Sequence, residues 1–330
     1  MNQQNKYPLD NPAKSSPQDR KKSPERILKE KQEKKEKRSI NVGRIVSILE
    51  GIISAAFLIT LFVVNILPFK YVGIFVILTI VLFLVTVKTQ GKKGLHIAGK
   101  IVGIISGIAF AIGIYALIVL NMIFGAMANK EGSADSKVVE NIFNVYVYDG
   151  EKDMVLTVNR DTHQIFEIAT PKTYYAIIPN VSNGQKDTLE NSRKYGVEAT
   201  RAMLESIYEM KIPYVIEYNK EEMSGLFDEL LVKMLFQPGS LVDGIDSNFE
   251  TNLTKDQLRQ LAKQYLDEDE GWKIYPVKAA GIITEKKTYT NPDVKAEVME
   301  PNKDMLTKII ELQNRIEDGE KLTAEDLVIE

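Results

Sequence analysis

The sequence predicts a membrane-anchored α/β protein, with three N-terminal transmembrane helices ahead of a second, less apolar half. Two observations support this class. Nearly all of the dense apolar sequence of this 330-residue chain lies between Arg44 and Phe124. Beyond Phe124, short strand-like runs alternate with segments of helical periodicity, which is typical of an α/β layer fold. We therefore divide the chain into a basic tail (1–44), a transmembrane region (45–127), a linker (128–137) and a globular domain (138–330).

Three apolar runs define the transmembrane region, at roughly Val46–Leu67, Tyr71–Val87 and Ile97–Phe124. Each run is near or above the ~17–25 residues that a helix needs to cross a bilayer. The third run carries small residues at four-residue spacing, at Gly99, Gly103, Gly107 and Ala111. This spacing predicts close packing of helices. Glu50 lies near the start of the first run, where we expect it to stay solvated at the interface.

Lysine and arginine set the predicted orientation. The tail is rich in both between Lys21 and Arg38, and further lysines occur between Lys88 and Lys100. Basic segments stay on the cytoplasmic side, so three crossings place everything after Phe124 outside the cell membrane. We expect residues 1–44 to be largely disordered and cytoplasmic. Glutamates interspersed among the lysines favour a solvated topology signal over a site for nucleic acid or anionic lipid.

The composition argues against several kinds of catalytic, metal and binding site. The chain has no cysteine, which excludes disulfides, zinc–thiolate sites and thiol nucleophiles. Its two histidines, His96 and His163, argue against a Ser-His-Asp triad or a multi-histidine metal site. A net charge of -3 argues against a dedicated nucleic-acid-binding protein.

The sequence of the globular half predicts strands and helices in alternation. The expected strands are 143–148, 154–159, 165–170, 174–179, 213–218, 272–277 and 296–299. The expected helices are 197–210, 221–235, 255–266 and 302–319. Thr254 and Gln257 form a capping-box pattern at the start of the third of these helices.

Several stretches of this half resemble the LytR-CpsA-Psr (LCP) family of cell-envelope proteins. They include "FNVYV", "DMVLTVN", "TPKTYYAIIP", "KDTLENSRKYG", "LESIYEMKIPYVIEYN", "SNFETNLT" and "AEVMEPN", in the family's order between Phe143 and Asn302. The resemblance implies an extracellular α/β/α layered domain with a mixed sheet, in a Gram-positive type bacterium. It also implies a role related to the magnesium-assisted transfer of polyprenyl-pyrophosphate-linked glycopolymers, such as teichoic acid or capsule, to peptidoglycan.

The sequence departs from the family where the resemblance places phosphate ligands. The family's Pro-Arg-Asp-Tyr motif reads Pro171-Lys172-Thr173-Tyr174, and the lysine of its Lys-Leu pair is Thr188. Glu217 occupies the place of a further arginine, and an arginine-rich segment is missing after Leu230. Arg193 and Arg201 lie nearby in sequence but match no motif position. The remaining candidates for phosphate binding are Lys172, Thr173, Lys186 and Thr188, although Lys172 also fits a solvated turn.

Three hypotheses follow, and the third is a membrane protein whose truncated outer domain is only partly folded. Because each lost transition-state donor typically lowers the rate by about a hundredfold or more, the departures favour a degenerate, non-catalytic binding or regulatory protein. Such a protein would hold lipid-linked glycopolymer or peptidoglycan, or pair with an active paralogue, and would not bind nucleic acid. The alternative is an active magnesium-dependent phosphotransferase with an altered site. In that case Glu151 or Asp153 would be the metal ligand, although both also fit a plain acidic turn.

Overall fold

The computed structural model describes residues 24–90, 95–128, 139–179, 181, 184–267 and 271–327. Three long helices come first: α1 (Pro24–Val64), α2 (Phe69–Gln90) and α3 (His96–Met127). All three are long and apolar enough to cross a membrane, which confirms the predicted spans by length and composition. The predicted linker lies outside the described residues except for Ala128.

Helix α1 differs from the expected disorder of the basic tail, because it begins at Pro24 and continues without a break into the first span. Lysine and glutamate are good helix formers, and proline suits the first helical position. Opposite charges three or four residues apart add further support. The N-terminal residues before Pro24 lie outside the described part of the chain.

The chain forms two compact units. The first contains the described residues up to Ile52 together with Val81–Gly107. Within it Glu50 is 1% exposed, and the Ser106 hydroxyl donates to Glu50 Oε1 at 2.6 Å. The expectation of a solvated Glu50 was therefore wrong, because helix packing encloses this carboxylate. A Cβ at Gly103 would lie 2.8 Å from Thr86 Cγ2, so the small residue permits the predicted close approach.

The second unit contains Ile53–Ile80 and the described residues from Ile108 onward. Its strands are β1 (Ile142–Tyr148), β2 (Asp153–Asn159), β3 (Gln164–Thr170), β4 (Tyr175–Ile177), β5 (Lys186–Thr188), β6 (Tyr214–Tyr218), β7 (Phe249–Thr251), β8 (Lys273–Lys278), β9 (Gly281–Lys287) and β10 (Lys295–Pro301). Its helices are α4 (Leu189–Ser192), α5 (Val197–Tyr208), α6 (Lys220–Asp228), α7 (Leu230–Phe236), α8 (Pro238–Asn248), α9 (Lys255–Asp267) and α10 (Lys303–Glu317). Short 3-10 turns occupy Arg193–Tyr195 and Ala324–Leu327.

The main sheet has six strands in the order β7-β6-β1-β2-β3-β8. The β1, β2 and β3 strands are antiparallel neighbours, whereas β6 runs parallel to β1 and β8 runs parallel to β3. This mixed sheet confirms the predicted class. The β4–β5 ribbon and the β9–β10 hairpin form two smaller sheets.

Successive side chains of β1 point to opposite faces of the sheet, and each face packs against a different hydrophobic core. Tyr146 faces a layer built from α5 and α10, which contribute Met203 and Ile309 among other buried residues. Val145 and its neighbours at 143 and 147 face the opposite layer, with Leu258 of α9 and the last turns of α3. The sheet is therefore covered on both faces, as an α/β/α layered domain requires.

Most of the predicted elements are present, but the structure also contains elements that were not predicted, namely α4, α8, β5, β7 and β9. The helix expected over 221–235 is broken at Glu229, so that α6 and α7 both reach a common cluster around Val119 and Ile123 of α3. Strand β9 was not predicted, because its sequence is largely polar, and β10 pairs with it rather than with the main sheet. The capping box is confirmed: the Thr254 N–H donates to Gln257 Oε1 at 2.8 Å.

Candidate functional site

The candidate site lies at the edge of the sheet where β1, β3 and β6 end. Register brings segments that are separate in sequence to this edge, since Tyr148 lies opposite Asp153, and Asp153 lies opposite Thr170. Polar residues at strand ends of α/β folds are common positions for function. The turn that contains Lys172 follows directly after β3.

An arginine that the sequence motifs did not identify occupies this edge. Arg193 forms an ion pair with Asp153, whose side chain is fully buried. The guanidinium carbon lies 3.8 Å from the centre of the Tyr148 ring, as a cation–π contact. The Tyr146 hydroxyl donates to the other oxygen of Asp153 at 2.8 Å. Both carboxylate oxygens are therefore already engaged within the protein.

Local structure places Arg193 at this point. Thr188 caps α4, because its hydroxyl accepts from the Asn191 N–H at 3.2 Å. The chain then passes through a single 3-10 turn and leaves it at Gly196, which has a φ of 94°. This left-handed angle favours glycine, and it ends the turn so that Arg193 lies over the sheet.

Burial and charge shift the protonation equilibria of this cluster. Burial raises the pKa of Tyr146, and the adjacent Asp153 carboxylate raises it further. Burial by itself would lower the pKa of Arg193, but the hydrogen bond and charge of Asp153 outweigh burial and raise it. The tyrosine stays protonated and the arginine stays charged at neutral pH, so neither is poised for proton transfer.

A cleft of about 1580 Å³ opens beside this cluster, between the ends of β1 and β6, strand β7 and helices α6 and α8. Its lining is acidic. The acidic lining residues are Asp149, Glu151, Glu198, Glu217, Glu221, Asp228, Asp246 and Glu250. Lys220 is the one basic residue among the described lining residues.

Glu217 shows how strongly the charge of this cleft departs from the family pattern. It lies directly opposite Glu250 in the β6–β7 register. Burial, followed by the nearby Glu250 charge, raises the pKa of Glu217. An acidic pair thus stands where the family resemblance placed an arginine.

The four predicted phosphate ligands lie beside the β4–β5 ribbon, and none of them lines the cleft. The Lys172 side chain is exposed, and its carbonyl accepts from the Glu190 N–H at 2.9 Å. Thr173 is half-buried and Lys186 is exposed. Thr188 uses its hydroxyl as the cap of α4. Phosphate binding by these four residues stays a prediction.

The β4–β5 ribbon is organised by Asp187, another residue that the sequence analysis missed. This carboxylate is fully buried. It accepts from the Asn191 side-chain amide at 2.7 Å, and from both the N–H and the hydroxyl of Thr290 at 2.7 Å each. Asp187 therefore joins segments that are about a hundred residues apart, and it is saturated with donors.

Magnesium binding by Glu151 or Asp153 stays a prediction. Glu151 is exposed at the cleft, and Asp153 is held by Arg193 and Tyr146. Within the described ranges, no three His, Cys, Asp or Glu side chains converge as a metal cluster. The Asp153 carboxylate does not fit a metal-ligand role, because binding a cation there would require displacing the Arg193 guanidinium.

Comparisons with known proteins return distant structural matches. An LCP-family protein, TagT, solved with bound octaprenyl pyrophosphate lipid, matches 61% of this chain and 99% of its own chain, at 13% identity and a TM-score of 0.40. TagV from B. subtilis matches 56% of this chain and all of its own, at 10% identity and a TM-score of 0.41. A protein described as a transcriptional regulator from Enterococcus faecalis matches 56% of this chain and 91% of its own, at 16% identity and a TM-score of 0.41. No protein-family model and no curated protein matches the chain.

Proposed function

We propose that this chain is a membrane-anchored, LCP-like protein of the bacterial cell envelope that binds or regulates and does not catalyse transfer. One observation carries the proposal: the cleft at the sheet edge is acidic, and the nearby Arg193 is neutralised by Asp153. A site for a pyrophosphate-linked substrate needs the opposite charge, supplied by arginine forks or a divalent cation.

Electrostatic repulsion strongly disfavours an anionic substrate in this cleft. A pyrophosphate in the cleft would face Glu217 and Glu250, and burial together with the Glu250 charge already disfavours the charged form of Glu217. Arg193 cannot turn towards a ligand without leaving a buried carboxylate unpaired, and breaking a buried pair typically costs about 3–5 kcal/mol. These terms oppose both binding of an anionic substrate in the cleft and stabilisation of added charge in a transition state.

The domain is proposed to lie outside the cell membrane, with the N-terminal tail in the cytoplasm. The support is the basic character of the tail and of the segment between Lys88 and Lys100. A Gram-positive type envelope follows from the family resemblance. In that position the domain would face peptidoglycan and lipid-linked glycopolymer.

Pairing with an active paralogue fits this chain better than holding the glycopolymer itself. The fold retains its core and its capped helices, whereas the charge of the cleft is reversed at Glu217. A partner that presents basic residues would complement the acidic cleft. Regulation by such pairing needs no catalytic group from this chain.

A reconstituted transfer assay tests the proposal. The full chain in lipid nanodiscs, given magnesium, lipid-linked glycopolymer and peptidoglycan, should transfer no glycopolymer. An active LCP protein in the same assay is the positive control, and the two proteins together should show a changed rate and should co-purify. Magnesium-dependent transfer by this chain alone that disappears in Lys172→Ala would instead establish the alternative, an active phosphotransferase with an altered site.

A further inference from the structure

Helix α7 exposes an unusual amount of apolar surface for a short helix. Of its seven residues, four are large apolar side chains turned outward: Leu231 is 70% exposed, Val232 60%, Leu235 46% and Phe236 77%. Phe227, on the preceding helix, is also 54% exposed. Single exposed apolar residues are ordinary, but a contiguous apolar patch marks a surface that binds something.

The remaining side of α7 is polar or packed. Lys233 forms an ion pair with Glu229 at 3.2 Å, and the Glu229 side chain is 64% exposed. Met234 and Leu230 pack on the cluster formed by the end of α3. The helix therefore has an exposed apolar face, a charged edge and a packed face, which is the pattern of a helix that lies along a membrane interface.

Helix α7 is fixed against a transmembrane helix. The Tyr115 hydroxyl of α3 donates to the Met234 carbonyl at 2.9 Å and reaches the Leu235 carbonyl at 3.5 Å. Val119 and Ile123, one and two turns further along α3, are buried in the same cluster as residues of α6 and α8. The depth of Tyr115 in the bilayer therefore sets the depth of α7.

That depth can be estimated by counting along α3. Lys100 is the last charged residue before a long uncharged stretch. About 20 helical residues cross the hydrocarbon core, which places its far boundary near Leu120. Tyr115 is then about 7–8 Å inside this boundary, at 1.5 Å per residue. An interfacial helix buries its apolar face by about 5–10 Å, so α7 lies at the depth that its exposed side chains require.

Helix α9 marks the headgroup level independently. Lys255, Arg259 and Lys263 recur every four residues and share one face. Arg259 donates to the Asn121 side chain, and Lys263 Nζ donates to Asn65 Oδ1 at 2.5 Å. Asn121 is one residue beyond the estimated boundary, and Asn65 directly follows the end of α1. Arg259 also forms an ion pair with Asp256. Lys255 and Lys263 are half-buried cations at this level that complement lipid phosphates, which favours a bilayer over a protein as the occupant of the α7 surface.

We propose that α7 is an interfacial helix whose apolar face, formed by Leu231, Val232, Leu235 and Phe236, is embedded in the bilayer leaflet on the side of the α/β domain. The consequence is that the domain is partly seated in the membrane rather than held above it. This inference does not depend on whether the protein catalyses transfer.

Site-specific quenching tests the proposal in the full chain. Because the chain has no cysteine, Leu231→Cys and Phe236→Cys can each carry a single bimane label without a background signal. The matched controls are Ile118→Cys, on the lipid-exposed surface of α3, and Glu311→Cys, on the exposed side of α10 across the sheet from α3. All four proteins are placed in nanodiscs of phosphatidylglycerol and phosphatidylethanolamine, with or without doxyl-labelled lipid.

We expect doxyl lipid to quench the labels at 231 and 236 as it quenches the label at 118. Aqueous iodide should quench them at least about threefold less than the label at 311, as expected for a helix below the headgroups. Iodide quenching equal to that at 311 would overturn the proposal. Shielding from both quenchers would also overturn it, because a protein surface would then cover α7. An unchanged thermal midpoint in each labelled variant shows that the fold is retained.

Discussion

Replacing Arg193 with methionine is the most informative single perturbation of this protein. Methionine keeps much of the apolar volume of the side chain but removes the guanidinium. The buried Asp153 carboxylate then keeps one side-chain donor, the Tyr146 hydroxyl at 2.8 Å. The variant therefore removes the ion pair that neutralises the site, together with the contact to the Tyr148 ring.

The expected cost is the sum of two lost interactions. Breaking a buried ion pair by removing one partner costs about 3–5 kcal/mol when the remaining charge is enclosed. Asp153 meets that condition at 0% side-chain exposure, while Arg193 is 22% exposed, which favours the lower half of this range. The contact with the Tyr148 ring at 3.8 Å adds roughly 0.5–2 kcal/mol. We expect a total loss of about 3.5–6 kcal/mol.

Urea unfolding followed by the fluorescence of Trp272, the single tryptophan of the chain, measures this loss. With a slope of about 2 kcal/mol per molar urea, the midpoint should fall by roughly 1.8–3 M. The control is Arg193→Met combined with Asp153→Asn. Asparagine can still accept from Tyr146 but carries no charge, so the double variant should recover at least half of the lost stability.

A loss below about 1 kcal/mol in Arg193→Met, with no recovery in the double variant, would refute the reasoning. The pair would then behave as an exposed surface ion pair. In that case Arg193 would be free to turn towards a ligand, and the electrostatic argument against catalysis would lose its main support.

Three other changes probe separate parts of the molecule. Because burial and Glu250 raise the pKa of Glu217, Glu217→Gln should stabilise the protein at pH 7 by less than about 1 kcal/mol. Repeating the urea titration across pH should show this gain vanishing as the pH falls below about 4, where the glutamate is protonated in both states. Tyr115→Phe removes the hydroxyl that binds two carbonyls of α7, so hydrogen exchange in α7 should accelerate by about tenfold, the equivalent of one lost bond, while exchange in β1 stays unchanged. Ser106→Ala removes the donor to the buried Glu50 and should cost about 1–3 kcal/mol, seen as a lower thermal midpoint in nanodiscs; an unchanged midpoint would mean that water replaces the hydroxyl.

The sequence pattern was sufficient to predict the elements whose pattern lies within one short stretch of the chain. The strands β1, β2 and β3 were predicted because each lies in a short run rich in β-branched or aromatic residues that is bounded by turn residues. The capped helix α9 was predicted for the same kind of reason, since Thr254 and Gln257 are three residues apart. Strand β7 has three residues and is a strand only because it pairs with β6, so no local sequence pattern could predict it.

The candidate site was less predictable, because its contacts join distant parts of the chain. Glu217 was recognised as a departure, but its neighbour Glu250 depends on the unpredicted β7 register. Arg193 was noticed as an arginine outside any motif, and only the turn ended by Gly196 brings it to Asp153. No local sequence signal identifies this contact, because it joins residues that are 40 positions apart in the chain.

The bonds between the spans and the α/β domain have a mechanical consequence. A domain on a flexible tether samples many heights and orientations above its anchor, and its reach changes with the length of the tether. Here Tyr115 is hydrogen-bonded to α7, Asn121 to Arg259, and Asn65 to Lys263, so the end of α3 and the residue that follows α1 hold the α/β domain directly. Such a domain stays at one fixed distance from its transmembrane helices. Whatever engages the acidic cleft must come to that height itself, and lengthening the segment between α3 and β1 would not extend the reach of the protein.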